Sequence, residues 1–200
     1  CRREDAHHGG RWLARRQEIV DRSAQLIAER GYHATGTADL CALNGLGKGA
    51  LYYYIGSKDE LLVAIHDQVT DEVLAGAERA LAAGDTPTDQ LRALGVELLE
   101  VIDRYPHHVR VFLHEYAALT GEPAASLAER RAQYERHVEA VIEAGIAARE
   151  FRRDLDPRLT ARAWLGMHNY TYLWLKSGGP LSAAEVADRF ADIFVPGISK

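Results

Sequence analysis

The 200-residue chain predicts an all-α protein, with a small three-helix domain in front and a larger helical domain behind it. Three observations carry that expectation. Ala, Leu, Glu and Arg dominate a chain with only 8% aromatic residues, and straight-chain residues lose little rotamer freedom in a helix. Apolar residues recur at the spacing of one helical face in segment after segment. The interruptions are Gly, Pro and N-cap residues placed where helices start and stop.

Cys1 to Gly10 is polar, ends on two glycines and lacks periodicity, so it reads as a flexible arm; its opening on Cys1 reads as a missing original start. From about Arg11 to Arg30, Ile19, Val20, Leu26 and Ile27 recur at helical spacing, and Gly31 stops the helix with Arg30 in its last turn. Thr37 to Leu43 puts Leu40 and Leu43 on one face behind Thr37, whose hydroxyl can accept from orphan backbone donors. Asn44-Gly45 breaks this short helix, because glycine tolerates the left-handed conformation that closes a last turn. A second short helix follows from Lys48 to Ile55, with Ala50, Leu51 and Ile55 facing inward. Two short helices joined by a Gly-containing turn make a helix-turn-helix.

Ser57-Lys58-Asp59-Glu60 is a capping box. It opens a long helix in which Leu61, Leu62, Ile65, Val69, Val73 and Ala77 repeat until Gly84. Thr86-Pro87 restarts a helix with Pro at its first position, where the missing N–H costs nothing. Tyr105-Pro106 interrupts, and a helix follows over Val109 to Leu119. Pro123 opens another through Ala147, with Leu127, Tyr134, Val138, Val141, Ile142 and Ile146 inside. Asp156-Pro157 caps the next, which runs to about Lys176. Ser182-Ala183-Ala184-Glu185 is a further capping box, before a last helix with Val186, Phe190, Ile193 and Phe194 inward. The expectation is nine helices, no strands and no internal repeat.

The second short helix carries chemistry. Lys48, Tyr52 and Tyr53 can bond phosphate oxygens, and Gly49 removes a side chain where a backbone must come close to a partner. Lys58 places a cation at a helix N-terminus, unfavourable by roughly 0.3 to 1 kcal/mol unless an anion is near; the plain alternative is a solvated lysine. Thr37, Lys48, Tyr52, Tyr53 and Lys58 are the expected phosphate contacts, with Gly49 and Tyr54 closest to base edges. Arg2, Arg3, Arg11, Arg15 and Arg16 could enter a flanking minor groove. Net charge divides in the same sense: residues 1–58 hold nine Lys or Arg against six Asp or Glu, while residues 59–200 hold fifteen against twenty-three. Only the front is drawn to a polyanion.

Other chemistries are excluded on spacing. Gly45-x-Gly47-x-x-Ala50 fits a dinucleotide fingerprint formally, but a polar helical segment precedes it instead of a strand. Gly47-Lys48 lacks the remaining residues of a phosphate loop. His114-Glu115 would need a second His at 118, which is Ala118. His107, His108, His114, Glu115, His137 and His168 could converge on a metal, but scattered helical histidines are commonly surface or core residues, and none is assigned to one. No catalytic pair is visible, so no enzyme activity and no cofactor are expected. Phe112, Tyr116, Tyr134, Trp164, Tyr170, Tyr172 and Trp174 form either a ring-rich core or an apolar pocket with polar anchors; Phe112, Tyr116, Tyr134, Trp164, Tyr170 and Trp174 are the ligand candidates. Cys1 and Cys41 give no disulfide framework, Cys41 reading as a buried free thiol. With no apolar run of membrane-span length or signal peptide, a cytoplasmic protein is expected.

From Ala24 to Ala64, Gly31-Tyr32-His33-Ala34-Thr35, Lys48-Gly49-Ala50-Leu51-Tyr52-Tyr53-Tyr54 and Ser57-Lys58-Asp59-Glu60-Leu61-Leu62 resemble the DNA-binding domain of TetR-family repressors. Gly47 departs from the family's usual Ser or Thr, and Ile55 from its usual Phe. The first departure removes a cap and a phosphate contact. Behind it, Ala144-Gly145-Ile146, Phe151-Arg152, Asp154-Leu155-Asp156 and Gly178-Gly179-Pro180-Leu181 resemble the family branch that controls lipid, steroid and fatty-acid catabolism and senses acyl-CoA thioesters. The resemblance implies domains at 1–58 and 59–200. It further implies a homodimer formed by the last two helices, a near-palindromic double-stranded DNA operator and a small hydrophobic effector. The rival expectations are an effector-independent regulator, and a carrier or enzyme that kept the fold.

Overall fold

The computed structural model describes the backbone from Arg2 to Lys200 and the side chains from Gly10 onward. Nine α-helices follow one another among the described residues: α1 Arg2–Arg30, α2 Thr37–Asn44, α3 Lys48–Ile55, α4 Lys58–Ala83, α5 Pro87–Arg104, α6 Pro106–His114, α7 Gly121–Ala147, α8 Pro157–Asn169 and α9 Ala183–Ile198. Short 3-10 turns follow α6 at Tyr116–Ala118 and α8 at Tyr170–Leu173. The only β pairing among the described residues is a single antiparallel bridge between Phe151 and Ser199.

The expected arm at residues 1–10 is corrected from Arg2 onward, because α1 continues back through Gly9 and Gly10; Cys1 lies outside the described residues. Once Ile19, Val20, Ala24 and Ile27 are buried, extending the helix adds a hydrogen bond for each residue fixed. A glycine costs about 1 kcal/mol against this, and no proline intervenes.

The chain forms two compact units, one of residues 1–69 and 107–125, the other of residues 70–106 and 126–200. The division falls inside α4 and not after residue 58. It also assigns α6 from His107 onward to the first unit. There His108 Nε2 stands 3.2 Å from an Asp21 carboxylate oxygen of α1, and Phe112 packs against His66 of α4. Burial of Leu40, Leu51, Ile55, Leu61 and Leu62 completes that core.

In the second unit, α5 turns Leu91, Leu94, Leu98, Leu99 and Ile102 inward, against α8 and α9. The buried stripe of α9 is Ala183, Ala187, Ala191 and Val195, at intervals of four. Ile193 lies two residues off that line and points outward, 71% exposed; its expected inward position is thereby corrected. The same geometry corrects Ala50: Leu51 and Ile55 set the buried line of α3, and Ala50, one residue earlier, is exposed. Cys41 is half-buried, next in sequence to fully buried Leu40.

The caps at Thr86, Asp156 and Ser182 form as the sequence predicts, accepting from Asp89 N at 3.1 Å, Leu159 N at 3.0 Å and Glu185 N at 3.2 Å. Ser57 accepts from Glu60 N at 3.0 Å, but its own N–H goes to the Ile55 carbonyl, so only half of that expected box forms. α8 ends seven residues short of the expected Lys176, tightening at Tyr170 into a 3-10 turn in which Thr171 Oγ1 donates to the His168 carbonyl at 2.7 Å.

Two glycines give opposite expectations. A Cβ on Gly145 would meet the buried Phe151 ring at 2.1 Å, so Gly145→Ala should lower stability by about 1 to 3 kcal/mol in urea unfolding. Gly10 has nothing within 4 Å of such a Cβ, so Gly10→Ala should raise stability by about 1 kcal/mol, with more helical circular dichroism.

Candidate nucleic-acid interface and effector site

The two short helices of the first unit are held by contacts around their turn. Gly36 is the extended residue before α2, and Asp39 Oδ2 accepts from its N–H at 2.8 Å. Thr37 is therefore the first helical residue instead of the expected cap, and its hydroxyl lies 3.2 Å from that of Tyr52. Gly45 closes α2 in the left-handed conformation, at φ 63 and ψ 34, as the Asn44-Gly45 break predicts. Gly47 begins α3 with extended geometry and no side-chain cap.

α3 buries Leu51 and Ile55 and turns Lys48, Gly49, Ala50 and Tyr53 outward, Tyr53 being 69% exposed. Lys48 Nζ lies 5.8 Å from the Tyr52 ring centre. A Cβ on Gly49 would meet nothing within 4 Å, so the chain's own packing does not require glycine there. Tyr54 is half-buried and stacks on Trp12 of α1, with ring centres 6.0 Å apart. Tyr53 meets the edge of Trp12 at 6.3 Å and of Tyr54 at 5.2 Å. Lys58 has its ammonium 4.1 Å from the Tyr32 ring centre, an intramolecular partner for the cation at the start of α4. The Tyr32 hydroxyl donates to Asp59, and burial together with that carboxylate raises the phenol above its usual range.

Trp12 is missed by motif reading, and Arg15, expected as a basic residue for a flanking groove, has a partner within the unit. Arg15 donates to the Asn44 carbonyl at 3.0 Å, at the end of α2. A signal existed, since Trp12 stands seven residues, two turns, before buried Ile19 on the same helix face.

The six expected effector residues are divided between the two units. Phe112 and Tyr116 belong to the first unit; Tyr134, Trp164, Tyr170 and Trp174 belong to the second. Tyr134 and Trp164 are buried, whereas Tyr116, Tyr170 and Trp174 are 51%, 63% and 45% exposed. Burial raises the Tyr134 phenol, and the nearby Glu97 charge adds to this. The second unit gathers rings around His168, a residue outside the expected effector set. Its imidazole lies over Trp164 at 3.9 Å and meets the edge of Phe190 at 5.5 Å, and Trp174 meets Phe190 at 6.2 Å. His168 Nδ1–H donates to the Trp164 carbonyl at 2.8 Å, and Nε2 faces α5 where Gly95 leaves room. Among the described residues no group of three or more acidic, histidine or cysteine side chains is placed to hold a metal, and no helix is long and apolar enough to cross a membrane.

Residues 19–65 match the family model of bacterial regulatory proteins of the tetR family, and residues 84–198 match the tetracyclin repressor-like C-terminal domain. The chain belongs to the TetR family. Among curated TetR relatives, the transcriptional repressor KstR2 of Mycobacterium tuberculosis is 29% identical over 192 residues, 96% of each chain. The solved structure of that ketosteroid transcriptional regulator superposes with a TM-score of 0.87 at 27% identity, over 93% of this chain and 95% of the other. PfmR of Thermus thermophilus gives 0.82 at 30% identity, covering 91% and 99%. AibR, solved with isovaleryl coenzyme A and operator DNA, gives 0.79 at 29% identity, covering 91% and 98%.

Burial lowers the His168 pKa from 6.5 to about 4. The unfolded chain therefore takes up this proton first, and stability should fall by about 2 to 3 kcal/mol as pH drops from 6.5 towards 4. Urea midpoints across that range check this, and His168→Gln should flatten the dependence.

Proposed function

We propose that this TetR-family chain is a ligand-responsive repressor that binds a near-palindromic DNA operator as a homodimer. The observation that carries the reading is the division of α3 into a buried line, Leu51 and Ile55, and an outward face of Lys48, Gly49 and Tyr53. That outer face offers a cation, a phenol and an open backbone, the means by which a helix meets phosphates and base edges. Thr37, Tyr52 and Lys58 flank it on the phosphate side, Lys58 with its ammonium still beside the helix start. Tyr54, turned towards Trp12, contributes chiefly by shaping the surface.

The dimer forms through α8 and α9. Leu159 of α8 and Ile193 of α9 are 66% and 71% exposed, and large apolar side chains left outward on the last two helices suit a self-complementary interface. Two-fold symmetry then sets two copies of α3 into successive major grooves, about 34 to 36 Å apart for half-sites one turn apart. Wider spacing follows where the half-sites are set further apart.

The effector is a small hydrophobic molecule, of the class of acyl-CoA or other lipid-derived thioesters. Tyr134 and Trp164 support this, being buried rings with polar handles in the second unit. The same inference draws on two TetR-family neighbours, the ketosteroid regulator and the regulator solved with isovaleryl coenzyme A. α6 offers the connection, since its residues belong with the helix-turn-helix while the helices before and after it lie largely in the second unit. Effector binding that favours a different α6 position weakens the operator, and by linkage the operator weakens the effector equally.

Selection from random duplex DNA should return a palindromic site whose affinity falls steeply with salt. On that site Lys48→Ala should lose about tenfold in affinity and about one unit of salt slope, with folding and dimerisation intact. Tyr52→Ala should weaken binding without changing the slope. Wild-type affinity in both variants would remove α3 from the interface.

A further inference from the structure

The start of α3 lacks the side-chain cap that its sequence position calls for, yet the helix is placed with its buried line fully covered. Gly47 has φ −73 and ψ 159, an N-cap conformation open to any residue, and a Cβ there would meet nothing within 4 Å. Something other than a local hydroxyl fixes the direction of α3. Two side chains of α1, three residues apart on one face, reach the two helices on either side of the turn. Trp12 stacks on Tyr54 and meets Tyr53 by its edge. Arg15 donates to the Asn44 carbonyl at 3.0 Å, satisfying an orphan acceptor at the end of α2. Arg15 is itself steadied by Glu18 at 2.6 Å, while Asn44 Nδ2 donates back to the Leu40 carbonyl at 2.9 Å.

We propose that Trp12 and Arg15 form a clamp that sets the orientation of the recognition helix from α1, in place of the cap missing at Gly47. Trp12 is a positioning residue: it acts through the Tyr54 and Tyr53 rings. Stacked and edge-to-face aromatic pairs are directional, so the indole restricts how α3 rotates about its axis, and the guanidinium restricts where α2 ends. The inference rests on the operator-binding reading for its effect on DNA, but the clamp itself is a property of the free protein.

The test therefore has two parts. In DNA-free protein, hydrogen exchange of the α3 amides should speed up in Trp12→Ala, while those of α5 and α9 stay as in wild type. On the operator chosen by the wild-type protein, Trp12→Ala should lose about tenfold in affinity, the equivalent of two aromatic pairs, with its salt slope unchanged because no charge is removed. Trp12→Phe keeps a ring at the same place and should retain affinity to within about threefold. Gly47→Ser restores the local cap and should recover more affinity in the Trp12→Ala background than it adds to wild type, a coupling that independent sites do not show.

Unchanged α3 exchange in Trp12→Ala would overturn the clamp whether or not DNA is bound. Equal losses in Trp12→Ala and Trp12→Phe would make the indole N–H a direct DNA contact, also overturning it. Faster α3 exchange together with no selected operator in the wild type would leave the clamp standing and remove the operator reading instead.

Discussion

An eight-residue helix has almost no stability of its own in water, because the cost of its first turn is spread over too few hydrogen bonds. α2 and α3 are both of that length, and everything around them answers this constraint. Leu40, Leu51 and Ile55 are buried against the helices that flank them. Gly45 closes α2 at once, and Ser57 opens α4 two residues after α3 ends. The long helices of the first unit act as a frame, and the short ones hold their places through side chains on the frame, Trp12 and Arg15 among them. Stability and placement thus come from different residues than those that face outward.

The arrangement also explains how charge is used. Lys58 occupies a position that the helix dipole disfavours, and the Tyr32 ring gives its ammonium a partner worth about 0.5 to 1 kcal/mol at such a site. Asp59, in the first turn, receives the Tyr32 hydroxyl. Cation, ring and carboxylate form one short chain of contacts at the junction of α1 and α4. In the second unit the comparable junction is uncharged: a neutral His168 among Trp164, Phe190 and the space left by Gly95.

Helix starts were legible in the sequence because a cap is a local device: Thr86, Asp156 and Ser182 need only the next three residues to declare themselves. The short pair of helices was legible for the same reason, through Gly45 and the apolar positions on either side. What could not be read depended on residues far apart in the chain. Trp12 and Tyr54 are separated by more than forty positions, and the membership of α6 in the first unit depends on Asp21 and His66. Ring type and a polar handle say nothing about which unit a ring belongs to or whether it is buried. Ile193 shows the limit of periodicity: an apolar residue two places off a stripe of alanines is on the other side of the helix, and small residues are what make that stripe easy to overlook.

The open space around Gly47 and Gly49 has a consequence for divergence. Neither position is constrained by a neighbour within the chain, and Tyr53 extends away from the core beside them. Substitutions at these places leave the buried line of α3 untouched, so new side chains can be tried there without first being compensated elsewhere. The scaffold can stay constant over evolutionary time while the outward face of α3 is rewritten one residue at a time.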